Sequence, residues 1–449
     1  MINRTALIKL RAWKTSKNRH PLILRGARQV GKTTIINEFG KEFDSYLYFN
    51  LEVAADKALL ESELPLDAVI NLLYAARGMS KYGETLIFID EIQNSPKTIA
   101  LLRFFYERRP DLYVVAAGSL LENVVDVKAS FPVGRVDFMP IRPCSFCEFM
   151  QALSQQHLMD LMAEPAYAAP FHNELLHQFN QYCIVGGMPE VVQEYVDTQD
   201  VVALDHIFSR LIRAYIDDVD KYANTKKVAE AVRFIINYGW SQAGAVITMG
   251  NFLSSGYNSR EIGEAFRLLQ KAMLLELAYP TTSTQLPLIP EMQRMPKLLW
   301  FDTGLVNYNS KVRQEIIGAR DILDVWKGRI GEQIVGQELL AINNDINETR
   351  MFWTRGRGES GAEIDFLRIV DSTVVPIEVK AGHNSHLRSL HSFVDLSDDC
   401  RLAVRVWSGQ YQVDEQKSAG KGKRFRLVNL PFYMLWNIDN IIRQEFSRL

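Results

Sequence analysis

GARQVGKTT occupies residues 26–34, between the short apolar run PLILRG (21–26) and a segment whose pattern predicts a helix. It fits G-x-x-x-x-G-K-[ST], with Gly26, Gly31, Lys32 and Thr33 at the fixed positions. Each residue type has a physical reason. Glycines let successive backbone N–H groups curl around phosphate oxygens, and the N-terminus of the following helix adds a favourable dipole. Lys32 is expected to reach the β- and γ-phosphates of ATP and the Thr33 hydroxyl to ligate Mg²⁺, with Thr34 beside it among the nucleotide-contacting residues.

Farther along, LIFIDEIQ (86–93) is an apolar strand ending in Asp90 and Glu91. A carboxylate at that strand end suits the Mg²⁺ shell, the role expected of Asp90, and its neighbour Glu91 is placed to orient a water against the γ-phosphate. The next strand, LYVVAAGS, ends at Ser119, which either senses the γ-phosphate or the attacking water or simply forms a turn. With YLYFNLE (46–52) and helical stretches near 65–77 and 96–108, residues 1–140 alternate apolar runs with helices. That alternation predicts βαβ units and a parallel sheet buried on both faces.

At 449 residues the chain is long enough for two to four domains. Its hydrophobic fraction of 47% and charged fraction of 23% argue against long disorder. A formal net charge of −2 excludes a polycation that coats nucleic acid, so any DNA contact must be local. No apolar run reaches the length of a membrane span and the first twenty residues carry no apolar signal stretch, so no membrane partner is expected. Four cysteines are too few to staple the chain, which points to a reducing, cytoplasmic setting. Cys144 and Cys147 form a C-x-x-C without a second pair at zinc spacing, and read as packed thiols. The first 32 residues hold nine Lys/Arg and no acid, a basic helix leading into the phosphate loop.

Residues 141–235 pattern as helices broken at AEPAYAAP (163–170). From Met249 the chain reads as a short helix, a Ser/Gly turn, a longer helix and a strand, with Ile262, Phe266, Leu269 and Met273 on one apolar face. That order predicts a winged helix, whose thin supply of basic residues favours a scaffold closing the nucleotide site over a DNA reader.

In the last third, the helix pattern KGRIGEQIVGQELLAI (327–342) carries Glu332, and an apparent hairpin brings Asp365 into the strand EIDFLRI. VVPIEVKAG follows, with Glu378 and Lys380 two residues apart. In a strand, i and i+2 share a face, so Glu378 and Lys380 project together while Ile377 and Val379 face the core. Glu332, Asp365 and Glu378 can then converge on one or two Mg²⁺, with Lys380 holding the attacking water. By register Glu363 could substitute for Asp365. His383, His386 and His391 read as surface.

The combination GARQVGKTT, LIFIDEIQ, AAGSLL and GRVDFMPIRPCSFCEF resembles the prokaryotic AAA+-type ATPases known broadly as ATP-binding proteins. The resemblance implies a five-stranded parallel sheet with a helical lid, and Arg135 as an arginine finger or sensor, the alternative being that Arg135 simply pairs with a nearby acid. GGMPEVV (186–192) resembles the G-x-P element that brings a lid proline, here Pro189, to the nucleotide. KLLWFDTGLVN (297–307) resembles the Y-F-x-D-x-G-L segment of the domain of unknown function that accompanies this family. The order helix Glu332, strand Asp365, turn, Glu378-x-Lys380, helix resembles the PD-(D/E)xK nucleases, including Holliday-junction resolvase relatives.

The expected fold class is therefore α/β: a P-loop AAA+-type core (1–145), a helical lid (146–238), a winged helix (239–312) and a restriction-endonuclease-like domain (313–449). The expected function is an ATP-binding, ATP-hydrolysing switch with Mg²⁺ as cofactor and a metal-dependent nuclease-like domain acting on DNA, as a possible homo-oligomer. The alternatives are a switch whose last domain mediates interactions, and a winged-helix DNA-binding regulator.

Overall fold

The computed structural model describes residues 2–118, 132, 134–221, 223, 225–318, 329–343, 345–346, 349–356, 361–380 and 387–449. β1 (Leu22–Arg25), β2 (Ser45–Asn50), β3 (Thr85–Asp90), β4 (Tyr113–Gly118) and β5 (Asp137–Pro140) form a parallel sheet in the order β2-β3-β4-β1-β5. β3 and β4 are buried at every position, as strands covered by helices on both faces must be. The phosphate-loop residues lead straight from β1 into the helix Lys32–Gly40. The helix Pro96–Arg108 starts where the Ser95 hydroxyl accepts from the Thr98 N–H, with proline at the first position.

A run of helices follows β5, among them Phe146–Ala152, His172–Val185, Pro189–Thr198, Asp205–Asp217 and Lys226–Tyr238. AEPAYAAP interrupts the run with a four-residue helix and a 3₁₀ turn. In the middle segment the expected short helix is a single 3₁₀ turn, Phe252–Ser254. The longer one, Ser259–Lys271, is fixed by a capping box between Asn258 and Glu261. It ends before Met273, whose left-handed backbone (φ 58°) takes that side chain off the face formed by Ile262, Phe266 and Leu269.

β6 (Leu275–Ala278), β7 (Pro280–Thr281) and β8 (Lys297–Trp300) come next, and β6 pairs antiparallel with β8. β7 instead joins the carboxyl-terminal sheet, made otherwise of β9 (Met351–Thr354), β10 (Glu363–Val370), β11 (Thr373–Val379), β12 (Leu402–Trp407), β13 (Gln412–Lys417) and β14 (Arg424–Pro431). Its order is β13-β14-β12-β11-β10-β9-β7, so the middle segment supplies one edge strand. The helix Arg329–Ala341 buries Ile334, Val335 and Leu339 in the same apolar cluster that contains Leu22 and Leu24 of β1. One core thus runs from the first sheet to the last. Among the described residues no helix is long and apolar enough to cross a membrane.

Candidate functional site

The loop between β1 and its helix is shaped by close approach. A Cβ on Gly26 would lie 2.3 Å from the Ile141 carbonyl oxygen, and Gly31 sits in the left-handed region at φ 89°. Lys32 is buried, its ammonium donating to the carbonyls of Gly26 and Ala27 at 2.9 Å each. Burial pulls its pKa down to about 8, against the carboxylates of Glu91 and Asp90, which raise it. The Thr33 hydroxyl donates to Asp90 Oδ2 at 2.7 Å, which brings the two expected Mg²⁺ ligands into contact. Glu91 follows at φ 53°, and the Gln93 side-chain amide donates to its Oε2. Burial raises the Glu91 pKa above the ordinary carboxylate value.

A cavity of about 750 Å³ opens over these groups, lined by Lys32, Thr33, Thr34, Asp90 and Glu91 and, from the opposite side, by Pro189. Pro189 begins the helix Pro189–Thr198 and packs over Gly31, where a Cβ would lie 3.6 Å from its Cγ. The preceding residues are held by Asp302, which is fully buried and accepts from the Gly187 N–H at 2.6 Å and from the Leu305 N–H at 2.9 Å. Burial outweighs these hydrogen bonds and raises the Asp302 pKa to about 6.

Two residues of this site escaped the sequence reading. Arg4 is buried, donates to the Val30 carbonyl of the loop at 3.1 Å and pairs with Glu148 at 3.2 Å. Glu148 also closes a capping box with Ser145 and accepts from the Thr5 N–H at 2.6 Å. The S-F-x-E-F segment is therefore a helix start that clamps the amino-terminal helix onto the phosphate loop. The spacing S-x-x-E was its visible signal.

Arg135 requires a correction. It precedes β5, which runs parallel to β1 with Leu22 opposite Asp137, so Arg135 lies at the end of the sheet away from the phosphate loop. There it pairs with Glu107 at 3.3 Å, and within this chain it is no sensor of the nucleotide. Ser119, His383 and His386 lie outside the described residues. Cys144 and Cys147 have pKa values raised by burial, Cys144 to about 12, and among the described residues no group of His, Cys, Asp and Glu is arranged to hold a metal ion.

At the carboxyl-terminal sheet Glu332, Asp365 and Glu378 converge, joined by Glu363. Lys380 Nζ lies 3.6 Å from Glu378 Oε1. Ile377 is in the core and Val379 is partly buried against it. Glu378 itself is buried, because β11 is an interior strand. Its Oε2 has no hydrogen-bond partner among the described residues. Burial, with Asp365 next, raises the Glu378 pKa to about 8, and burial raises that of Glu332 to about 7. Unforeseen in the sequence, Lys297 of β8 stands among these acids, 2.7 Å from Glu332, 3.1 Å from Glu363 and 3.5 Å from Asp365. Burial lowers its pKa, but the three carboxylates outweigh it and hold the ammonium above the usual lysine range.

Three stretches of the chain match known families. Residues 18–150 match the AAA domain family. Residues 176–315 match a domain of unknown function (DUF8612), and residues 327–433 a second one (DUF4143). No curated protein matches the chain. Among solved structures the Walker-type ATPase PABY2304 of Pyrococcus abyssi aligns at 13% identity and a TM-score of 0.43, over 69% of this chain and 96% of that one. The Aeropyrum pernix ORC1 protein, solved in complex with DNA, aligns at 12% and 0.31, over 71% and 94%. The Thermotoga maritima RuvB Holliday junction branch migration motor aligns at 15% and 0.28, over 65% and 93%. At such scores the likeness says nothing about ligand or partner. The parallel sheet, the loop geometry and the family match agree on one point: the amino-terminal third of this chain is an ATP-binding, AAA-type P-loop ATPase domain.

Proposed function

We propose that this chain is an AAA+-type switch that binds and hydrolyses ATP with Mg²⁺. The observation that carries the reading is the contact between the Thr33 hydroxyl and Asp90 at 2.7 Å, on the floor of a cavity that also holds Lys32 and Glu91. Thr33 and Asp90 offer hard oxygen ligands suited to Mg²⁺, and the bound ion would neutralise charge on the β- and γ-phosphates. Lys32 leaves its two carbonyl partners for phosphate oxygens, Gly26, Gly31 and Thr34 shape the cradle, and Glu91 orients the attacking water. Pro189 covers the nucleotide from the lid. In this reading residues 1–145 are the core, 146–238 the lid, 239–312 a winged-helix scaffold and 313–449 a nuclease-like domain.

The test is Lys32→Ala, which removes a charge-assisted contact to phosphate. The folded variant should lose ATP binding by calorimetry, and unchanged affinity would overturn the assignment.

A second reading makes the carboxyl-terminal domain a nuclease acting on DNA, as a possible oligomer. It is favoured by the convergence of Glu332, Asp365 and Glu378 with Lys380 at their edge. As arranged, these residues do not fit a divalent ion, because Lys297 stands among them and, among the described residues, no three acids are spaced to share one in this arrangement. No cleavage step is therefore derived from this arrangement. A nicking assay on plasmid and branched DNA with Mg²⁺ or Mn²⁺ separates a nuclease from an interaction module.

A further inference from the structure

Lys297 enters the carboxylate cluster from outside the sheet that carries it. It belongs to β8, which pairs with β6, whereas Glu363 and Asp365 lie on β10, Glu378 on β11 and Glu332 on the helix Arg329–Ala341. Its side chain is 1% exposed, and its ammonium lies 2.7, 3.1 and 3.5 Å from Glu332, Glu363 and Asp365. An ammonium has three N–H donors, and three acids surround this one. Among the described residues Glu378 Oε2 remains buried without a partner, so the cluster still holds unused acceptor capacity. We propose that Lys297 is the resident cation of this cluster: it fills the position a divalent ion would take and keeps the site free of metal in this arrangement.

Exclusion follows from geometry. Mg²⁺ holds oxygens at about 2.0–2.1 Å in an octahedral shell, whereas an ammonium holds them at about 2.7–2.9 Å, and the same oxygens cannot serve both at once. The chain runs five residues from Lys297 to Asp302, whose carboxylate holds Gly187, and Pro189 two residues on packs over Gly31 of the phosphate loop. The cation in the cluster and the clamp on the nucleotide lid are opposite ends of one six-residue segment. The inference rests on reading the acids as a cation site and not on what that site cleaves.

The experiment measures Mn²⁺ binding to the nucleotide-free full chain by electron paramagnetic resonance. Wild type should bind no Mn²⁺ at the cluster. Lys297→Met should gain one site, tighter by on the order of 10- to 100-fold than anything in wild type, the scale on which neighbours of metal ligands act. Adding Asp365→Asn to Lys297→Met should abolish the gain. Because losing the ammonium leaves buried carboxylates uncompensated, Lys297→Met with Glu332→Gln is tested beside it, removing one acid with the cation. Retained ATP binding reports that each variant is folded. A folded Lys297→Met chain, alone or with Glu332→Gln, that binds Mn²⁺ no better than wild type overturns the proposal, as does a Mn²⁺ site at the cluster in wild type. A variant that gains Mn²⁺ yet cuts no DNA leaves the proposal standing and removes the nuclease reading.

Discussion

Glu91 lies one residue beyond β3 in a left-handed backbone conformation that only a few per cent of non-glycine residues adopt. That turn swings its carboxylate back over the phosphate loop, where the Gln93 amide donates to it. Gln93 in turn has a buried Oε1 without a hydrogen-bond partner among the described residues, tucked where a Cβ on Gly118 would lie 2.4 Å away. A carboxylate so held, with its basicity raised by burial, suits a group that orients and polarises water. Glu91→Gln should therefore keep ATP bound while slowing turnover by about 10²- to 10⁴-fold, the usual contribution of a positioned base. The check is a binding isotherm beside a phosphate-release assay. Equal loss in both would make Glu91 a metal or structural residue instead.

Between residue and domain stands the strap Gly186–Pro189. A Cβ on Gly187 would sit 2.2 Å from the Cys144 carbonyl oxygen, and the Gly187 carbonyl accepts from the Cys144 N–H at 2.6 Å. No side chain fits there without moving the strap. Gly187→Ala should push Pro189 off Gly31, cost about 1–3 kcal/mol as overpacking does, and weaken ATP binding. Pro189→Ala should weaken binding with little change in stability, since Pro189 faces the cavity. Thermal unfolding with and without ATP distinguishes the two. If Gly187→Ala left nucleotide affinity unchanged, the strap would be packing only.

Across the whole molecule the helix Arg329–Ala341 connects the two candidate sites. Glu332 meets the carboxylate cluster at one end, and six residues on, about 9 Å along the axis, Glu338 accepts from the Tyr182 hydroxyl at 2.7 Å and from the Phe146 N–H. Gln337 between them accepts from the Thr303 N–H at 2.7 Å. Burial raises the Glu338 pKa to about 7. The folded chain then keeps a proton that the unfolded chain releases near pH 4.5. This group's stabilisation is fully present below that pH and is lost as pH rises toward 7. Glu338→Gln mimics the protonated form, so it should remove this loss and leave the variant more stable than wild type above pH 7 by up to about 3 kcal/mol. Urea unfolding at pH 5 and pH 8 tests this, and parallel pH profiles for the two proteins would contradict it.

The sequence alone was enough for the phosphate loop, four of the five strands of the first sheet and the order of acids in the last, because each is local. Glycine spacing, apolar runs and i, i+2 alternation act within a few residues. Thr33 and Asp90 were legible as partners for the same reason, each being fixed at a strand or helix end by its own neighbours. What only the tertiary structure decided depends on contacts between distant segments. The seventh strand comes from Pro280–Thr281 through a pairing with β9 some seventy residues away. Arg135 was assigned by its place in a motif, and the parallel register of β1 and β5 puts it at the wrong end of the sheet. Lys297 reads in sequence as one polar residue before an apolar strand. Its role exists only because β8 packs so that one buried ammonium meets acids from a helix and a strand, and a charge without water takes its character from whatever the fold sets beside it.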